Sequence, residues 1–344
     1  MNNPEELSGM RSIDYFEPLG VVAKRVFEQI KEKARSHNAD SKNIEITMMQ
    51  NVLLTDTPVS KPSMAGNSSS PERTTRIPTG FVDLDNEESG FHAGELIVIG
   101  ARPAMGKISF SLNIARYTSI EKKKKVAVFS QKLSREHIAL RVLCSDALAD
   151  IQRVQQGAMT ADEWTKISKS MARAMTAPMY IDNTTGITTA QLRSRCLSLK
   201  IAHGLDMILV ADLELMRSGT MAENRHMDNS EIIHQLKAIA QELNVPVMAC
   251  IQLKRAGADR PDHRPRLSDL PDYQSIGKDA DVISLLYREG YYNRFVEDRN
   301  IIELIIAKDH GRSPRTVMLY WLAEYALFAN LIMDSPSTPV LPEH

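Results

Sequence analysis

The stretch Ala101-Arg-Pro-Ala-Met-Gly-Lys107 decides how this chain is read. Before it lies a near-continuous apolar run, Glu95–Ala101, and after it a segment of helical apolar periodicity, Ile108–Ser119. Strand, short loop and helix in that order bind phosphate when backbone N–H groups converge at the helix N-terminus and a lysine reaches the outer phosphates. Gly106 and Lys107 meet that requirement. Ala101 stands where the usual pattern has its first glycine, and Ile108 stands where it has Ser or Thr.

Outward from this loop, short apolar runs alternate with helical patterns. The runs are Glu95–Ala101, Val126–Ser130, Met179–Asp182, Met207–Leu213, Val245–Gln252, Val282–Tyr287, Ile301–Ala307 and Thr316–Trp321. The early ones are apolar on both parities, as strands covered on both faces must be. Helices are predicted at Ile108–Ser119, Arg135–Leu148, Ala161–Ala174, Thr189–His203 and Ile232–Leu243. Such alternation implies an α/β fold with a mainly parallel sheet and helices on both faces. The last two runs have no helix between them and predict an antiparallel hairpin at the sheet edge.

The main domain is read as 77–333. Upstream, residues 1–15 are polar and predicted disordered. Leu19, Val22, Val26 and Ile30 recur at helical spacing and predict an amphipathic helix over 18–35, within an N-terminal region 16–54 that also holds a weaker apolar stretch at 44–54. One short helix cannot cover its own stripe, so it needs a docking site. Residues 55–76 are rich in Pro, Ser, Thr and Gly and read as a flexible linker, and 334–344 as a disordered tail.

The 344 residues are 43% hydrophobic and 25% charged, ordinary values for a globular protein, and the formal net charge is -1. Any nucleic-acid surface must therefore be a local patch. Cys144, Cys196 and Cys250 form neither a zinc pattern nor a disulfide framework, which fits a reducing cytoplasm. No basic segment followed by an apolar one opens the chain, and no apolar run approaches the roughly 20 residues of a membrane helix, so neither secretion nor membrane insertion is expected.

ARPAMGK resembles the variant phosphate loop of DnaB-type replicative helicases, which also begins with alanine. The resemblance runs in family order through IPTGFVDLDNEESGFHAGELIVIGARPAMGK, FSQKLSREHIALRVL, MYIDNTTGITTAQLRSR, LKAIAQELNVPVMACIQLKR, RPRLSDL and IGKDADVISLLYRE. It implies a RecA-like P-loop NTPase domain that binds ATP with magnesium, contacts single-stranded DNA and assembles as a hexameric ring. The family's N-terminal globular domain has no counterpart here. VAKRVFEQIKEKA (22–34) is similar to the family's linker helix, which packs onto the neighbouring subunit.

Carried across by position, the family's chemistry is depleted. The magnesium-binding hydroxyl falls on Ile108, which has no oxygen; Ser109 is next, but about 100° further round the helix. The catalytic glutamate of the F-S-L-E motif falls on Lys132, a reversal of charge that cannot orient water. The acidic residue ending the next strand falls on Ala211. Asp212 follows, yet strand alternation aims it away unless a bulge intervenes. The arginine finger falls on His310, with Arg312 two residues on as a replacement candidate, and the glutamate before Asp-Ala-Asp is Gly277. Retained are Gly106, Lys107, Gln252 at the γ-phosphate-sensing position, and Lys308 as a partner for a neighbour's nucleotide. The nucleotide-binding candidates are thus Ala101, Arg102, Pro103, Ala104, Met105, Gly106, Lys107, Ile108, Gln252 and Lys308.

By analogy two loops face the ring channel: 217–229 with Arg217 and Arg225, and 254–266 with Lys254, Arg255, Arg260, Arg264 and Arg266. Flexible basic loops suit phosphate tracking without base readout. The expected function is ATP and single-stranded DNA binding in a ring with weak or lost hydrolysis. One alternative is an active 5′-to-3′ helicase using Asp212 and Arg312; another is a non-enzymatic subunit that joins or caps an intact DnaB-type helicase ring. An intact helicase or its loader is the expected protein partner.

Overall fold

The runs that are apolar on both parities become the middle of one sheet. The computed structural model describes residues 13–37, 76–85, 90–217, 225–254, 260–331 and 339–340. Its strands are β1 (Glu17–Pro18), β2 (Arg76–Ile77), β3 (Phe91–His92), β4 (Leu96–Ala101), β5 (Val126–Phe129), β6 (Met179–Asp182), β7 (Met207–Val210), β8 (Val247–Gln252), β9 (Val282–Tyr287), β10 (Ile301–Asp309), β11 (Arg315–Leu322), β12 (Leu327–Leu331) and β13 (Pro339–Val340). Eleven of them form a sheet in the order β1-β6-β5-β7-β8-β4-β9-β10-β11-β12-β13, while β2 and β3 make a separate ribbon. From β6 to β9 the pairing is parallel; β1 at one side and β10–β13 at the other are antiparallel.

Every residue of β4, β5, β7 and β9 is buried. Alternate residues of these strands feed two apolar cores, one on each face, as helices on both sides require. The helices are α1 (Leu19–His37), α2 (Val82–Asp85), α3 (Lys107–Arg116), α4 (Arg135–Ala147), α5 (Ile151–Gln156), α6 (Ala161–Met175), α7 (Thr189–His203), α8 (Arg225–Leu243), α9 (Tyr273–Asp279) and α10 (Glu289–Tyr292). Local chemistry sets several of their starts: reciprocal capping boxes open α6 (Thr160 with Glu163) and α7 (Thr188 with Gln191), and Ser134 caps α4.

The expected β10–β11 hairpin forms, but it is not the edge, because β12 and β13 continue the sheet beyond it. Disorder predicted for 334–344 is contradicted at Pro339–Val340, which pair with Leu331 and Asn330. Order also begins before residue 16. The Arg195 guanidinium lies 3.5 Å over the Tyr15 ring, and Arg135 donates to the Tyr15 carbonyl at 2.7 Å. Most of the predicted linker at 55–76, the stretch 44–54 and the rest of both termini lie outside the described residues. No described helix is long and apolar enough to cross a membrane.

In this single-chain structure helix α1 docks on its own chain, while the resemblance implies the equivalent surface of a neighbouring subunit. Leu19, Val22, Val26, Phe27 and Ile30 are buried against α4 and α6, and Phe27 meets Trp164 edge-to-face at 6.1 Å. Two glycines allow the approach. A Cβ on Gly157 would stand 2.7 Å from the Ala34 nitrogen, and one on Gly20 would stand 2.8 Å from Met175 Cα. Arg25 ties the outer face to Glu17 at 2.9 Å and Glu136 at 2.6 Å. The helical stripe said that this face is covered; it carried no information on whose surface covers it.

Candidate nucleotide site

Strand β4 ends at Ala101, and α3 starts at Lys107, so residues 102–106 form the loop at the C-terminal edge of the parallel strands. Ala104 (φ 64°) and Gly106 (φ 86°) both take the left-handed conformation. Such residues alternating with ordinary ones turn successive N–H groups to one side, as an anion cradle needs. Gly106 is also required by space, since a Cβ there would lie 2.8 Å from Phe328 Cζ. Arg102 is buried and donates to the Tyr292 hydroxyl at 3.0 Å, while its Nε and Nη2 have no partner. Gln252 lies beside Ala101 in the parallel register and is exposed.

The Lys107 ammonium pairs with Glu214 Oε1 at 3.3 Å. Lys132 Nζ donates to the same oxygen at 2.9 Å and lies 3.8 Å from Asp212 Oδ1. Two cations therefore converge on one carboxylate. Burial pushes the Glu214 carboxyl up, but the Lys107 charge and the Lys132 hydrogen bond outweigh it and hold the group below the usual glutamate range. Burial likewise pulls Lys132 down, and the Glu214 hydrogen bond and charge, with Asp212, overcome it and raise the ammonium above the ordinary lysine value. Sequence reading missed Glu214. The available signal was a lone acid between Leu213 and Leu215 directly after a buried strand, in a chain whose Lys132 needed a counter-charge.

Asp212 is in the site, contrary to the strand-alternation argument. Strand β7 ends at Val210, and a single-turn helix over Leu213–Leu215 follows, so alternation no longer holds at 212. Its Oδ2 accepts from Ser130 Oγ (2.9 Å), Gln131 N (3.0 Å) and Lys132 N (3.1 Å), and Oδ1 is buried without a hydrogen bond. Asp212 thus holds the 130–132 turn in place. Ala211 is fully buried and offers no side-chain oxygen.

A magnesium ion, implied by the resemblance, does not match this donor set. Ile108 has no oxygen. The Ser109 hydroxyl accepts from Arg141 Nη1 at 3.0 Å, which commits it to α4. The place between the Asp212 and Glu214 carboxylates is held by an ammonium. Among the described residues no group of three or more His, Cys, Asp or Glu side chains is arranged to hold a metal. Beneath the loop, Cys250 packs against Ser111 Oγ at 3.0 Å, and burial pushes its thiol up to about 12.

His310 and Arg312 belong to the opposite edge. Asp309 pairs with Val282 at the start of β9, and His310 reaches Glu95 (2.8 Å) and Asp309 (2.9 Å). The length of β4, six residues at about 3.3 Å each, places that edge roughly 20 Å from the phosphate loop. Within one chain they cannot serve it. There they border a cavity of ≈ 310 Å³ lined also by Phe91, Ile99, Phe110 and Leu304. Lys308 donates to the carbonyls of Gly277 (2.8 Å) and Ala280 (2.5 Å), closing the C-terminal end of α9.

Of the expected DNA-facing cations, two are bound internally. Arg260 forms a two-pronged pair with Asp269, and Arg264 another with Glu303 at 2.7 and 2.5 Å. Arg266 contacts Asp262 at 3.2 Å but keeps its side chain 61% exposed, and Lys254 and Arg217 are exposed. Arg225 opens α8, and Arg255 lies outside the described residues. Sequence could count these positive charges but not pair them with acids far along the chain.

The comparisons agree with this architecture. The family described as DnaB-like helicase C terminal domain matches residues 76–330. The replicative DNA helicase DnaB of Geobacillus stearothermophilus is 42% identical over 258 residues, covering 75% of this chain and 57% of that protein. The replicative DNA helicase DnaC of Bacillus subtilis (strain 168) is 41% identical over the same shares. This chain therefore spans 57% of the length of these curated relatives. Among solved structures, one described as an ATPase domain superposes with a TM-score of 0.72 at 28% identity, covering 86% of this chain and 100% of that one. A DnaB-like replicative helicase, studied for its interactions with primase, gives 0.72 at 26% identity over 90% and 76%.

Proposed function

Because this chain belongs to the DnaB-like helicase C-terminal domain family, we propose that it binds ATP and single-stranded DNA in a ring assembly and hydrolyses ATP weakly or not at all. One observation carries the reading: an ammonium, Lys132 Nζ, lies against Glu214 and Asp212 where hydrolysis needs a free carboxylate beside the γ-phosphate. The binding half of the machinery is kept in Lys107, Gly106, the left-handed loop and the helix N-terminus behind it. Turnover also needs charge neutralised from a neighbouring subunit. The edge roughly 20 Å away offers His310, already engaged by two carboxylates, and Arg312. Among the described side chains, DNA contact would fall to Arg217, Lys254 and Arg266, which are exposed.

A second reading has one observation in its favour. Asp212 and Glu214 bring two carboxylates to the loop from a turn adjacent to the substituted Ala211. If Glu214 exchanged its lysines for a water, the chain would be an active ATP-dependent DNA helicase. Steady-state ATP turnover with and without single-stranded DNA decides between them. A rate well below 1 per second, unchanged by DNA, supports the first reading. A DNA-stimulated rate on the order of 1 per second or more overturns it. Co-assembly with an intact helicase of the family tests the non-enzymatic ring-partner role.

A further inference from the structure

We propose that Lys132 is a tethered cation that takes the place of magnesium, so that this site binds the triphosphate without a divalent ion. The inference rests on the nucleotide-binding reading above and extends it to the chemical form of the ligand. Lys107 and Lys132 donate to the same oxygen, Glu214 Oε1, at 3.3 and 2.9 Å. An oxygen held by two ammoniums is the environment a phosphoryl oxygen needs, and Glu214 occupies it as an internal carboxylate. Its other oxygen is buried without a partner, so only the two ammoniums hold the carboxylate, and its side chain is 26% exposed, so a path toward solvent is open once they bind phosphate instead.

Three features favour the metal-free nucleotide over the magnesium complex. The hydroxyl that would face the metal is missing at Ile108, and the adjacent Ser109 hydroxyl is held by Arg141. Asp212 keeps an unpartnered buried oxygen, but the cation nearest to it is Lys132, 3.8 Å away. A divalent ion entering there would be repelled by that ammonium. Free ATP also carries more negative charge than its magnesium complex. Once Glu214 swings out, Lys107, Lys132 and the α3 N-terminus face the phosphates against a single remaining carboxylate, Asp212. Glu214 then acts as a competitor for the phosphates, and its removal strengthens binding.

The test is a titration of the full chain with fluorescently labelled ATP, in excess EDTA and in millimolar magnesium. Affinity in EDTA is expected to equal or exceed that in magnesium, within about threefold. In EDTA, Lys132→Ala is expected to weaken binding about tenfold or more, Lys132→Arg to retain it, and Glu214→Gln to strengthen it about tenfold. Binding in magnesium that disappears in EDTA overturns this inference and leaves the nucleotide reading standing. No binding under either condition overturns both. The parent-chain titration needs no variant, so a misfolded mutant does not decide the outcome.

Discussion

Asp212→Ala tests the most consequential difference between chain pattern and structure. Asp212 is 1% exposed, and its Oδ2 accepts from Ser130 Oγ, Gln131 N and Lys132 N. Hydrogen bonds to a charged group contribute about 1.5–3 kcal/mol each, and neighbours sharing one acceptor are not additive. Truncation leaves a buried hydroxyl and two backbone donors unmet and removes a counter-charge of Lys132. The loss is therefore about 3–5 kcal/mol rather than the full sum of three bonds. At roughly 2–4 °C per kcal/mol for a domain of this size, Tm should fall by about 6–20 °C. Asp212→Asn keeps an acceptor and most of the geometry, so about 1–2 kcal/mol is expected. Urea unfolding followed by far-UV circular dichroism measures both. If Asp212→Ala lies within about 0.5 kcal/mol of the parent, the side chain points away as alternation suggests, and the site geometry described above is wrong.

Four further outcomes are expected. Phe27→Ala should cost about 3–5 kcal/mol in the same unfolding assay, because the ring is buried against Trp164; a neutral result would mean that α1 is seated elsewhere. Glu214 has a lowered folded pKa, so its contribution is present above the ordinary value of 4.5 and is lost as pH falls through the lower folded value. Stability curves of the parent and Glu214→Gln should accordingly be furthest apart above the ordinary value of 4.5 and draw together as pH falls below it, and parallel curves would contradict the pairing. Gly106→Ala should abolish labelled-ATP binding, because φ 86° and Phe328 Cζ at 2.8 Å leave no room for a methyl group; full affinity would show that the loop is not the phosphate cradle. Restoring Ile108→Thr, Lys132→Glu, Ala211→Asp and His310→Arg together should recover far more ATP turnover than any single change, and a single change that restores full turnover would refute that cooperativity.

What the sequence determined by itself is whatever depends on neighbours a few residues apart. Apolar runs without alternation placed β4, β5, β7, β8 and β9 close to their observed limits, and helical apolar periodicity did the same for α4, α6 and α7. The order strand, Gly-Lys, helix located the phosphate loop, and the stripe on α1 announced a covered face. Strands β1 and β13 were not legible, because two-residue segments have no period of their own and exist only where a partner strand lies. Tertiary structure alone decided the charges of the site. Glu214 is 107 residues from Lys107 and 82 from Lys132, and no local pattern ties these three together. The same holds for Arg264 with Glu303 and for α1 with α4 and α6. A side chain's role as ligand, counter-ion or anchor is set by which distant groups desolvate it and which opposite charge then comes within about 3 Å, and that is a property of packing rather than of spacing along the chain.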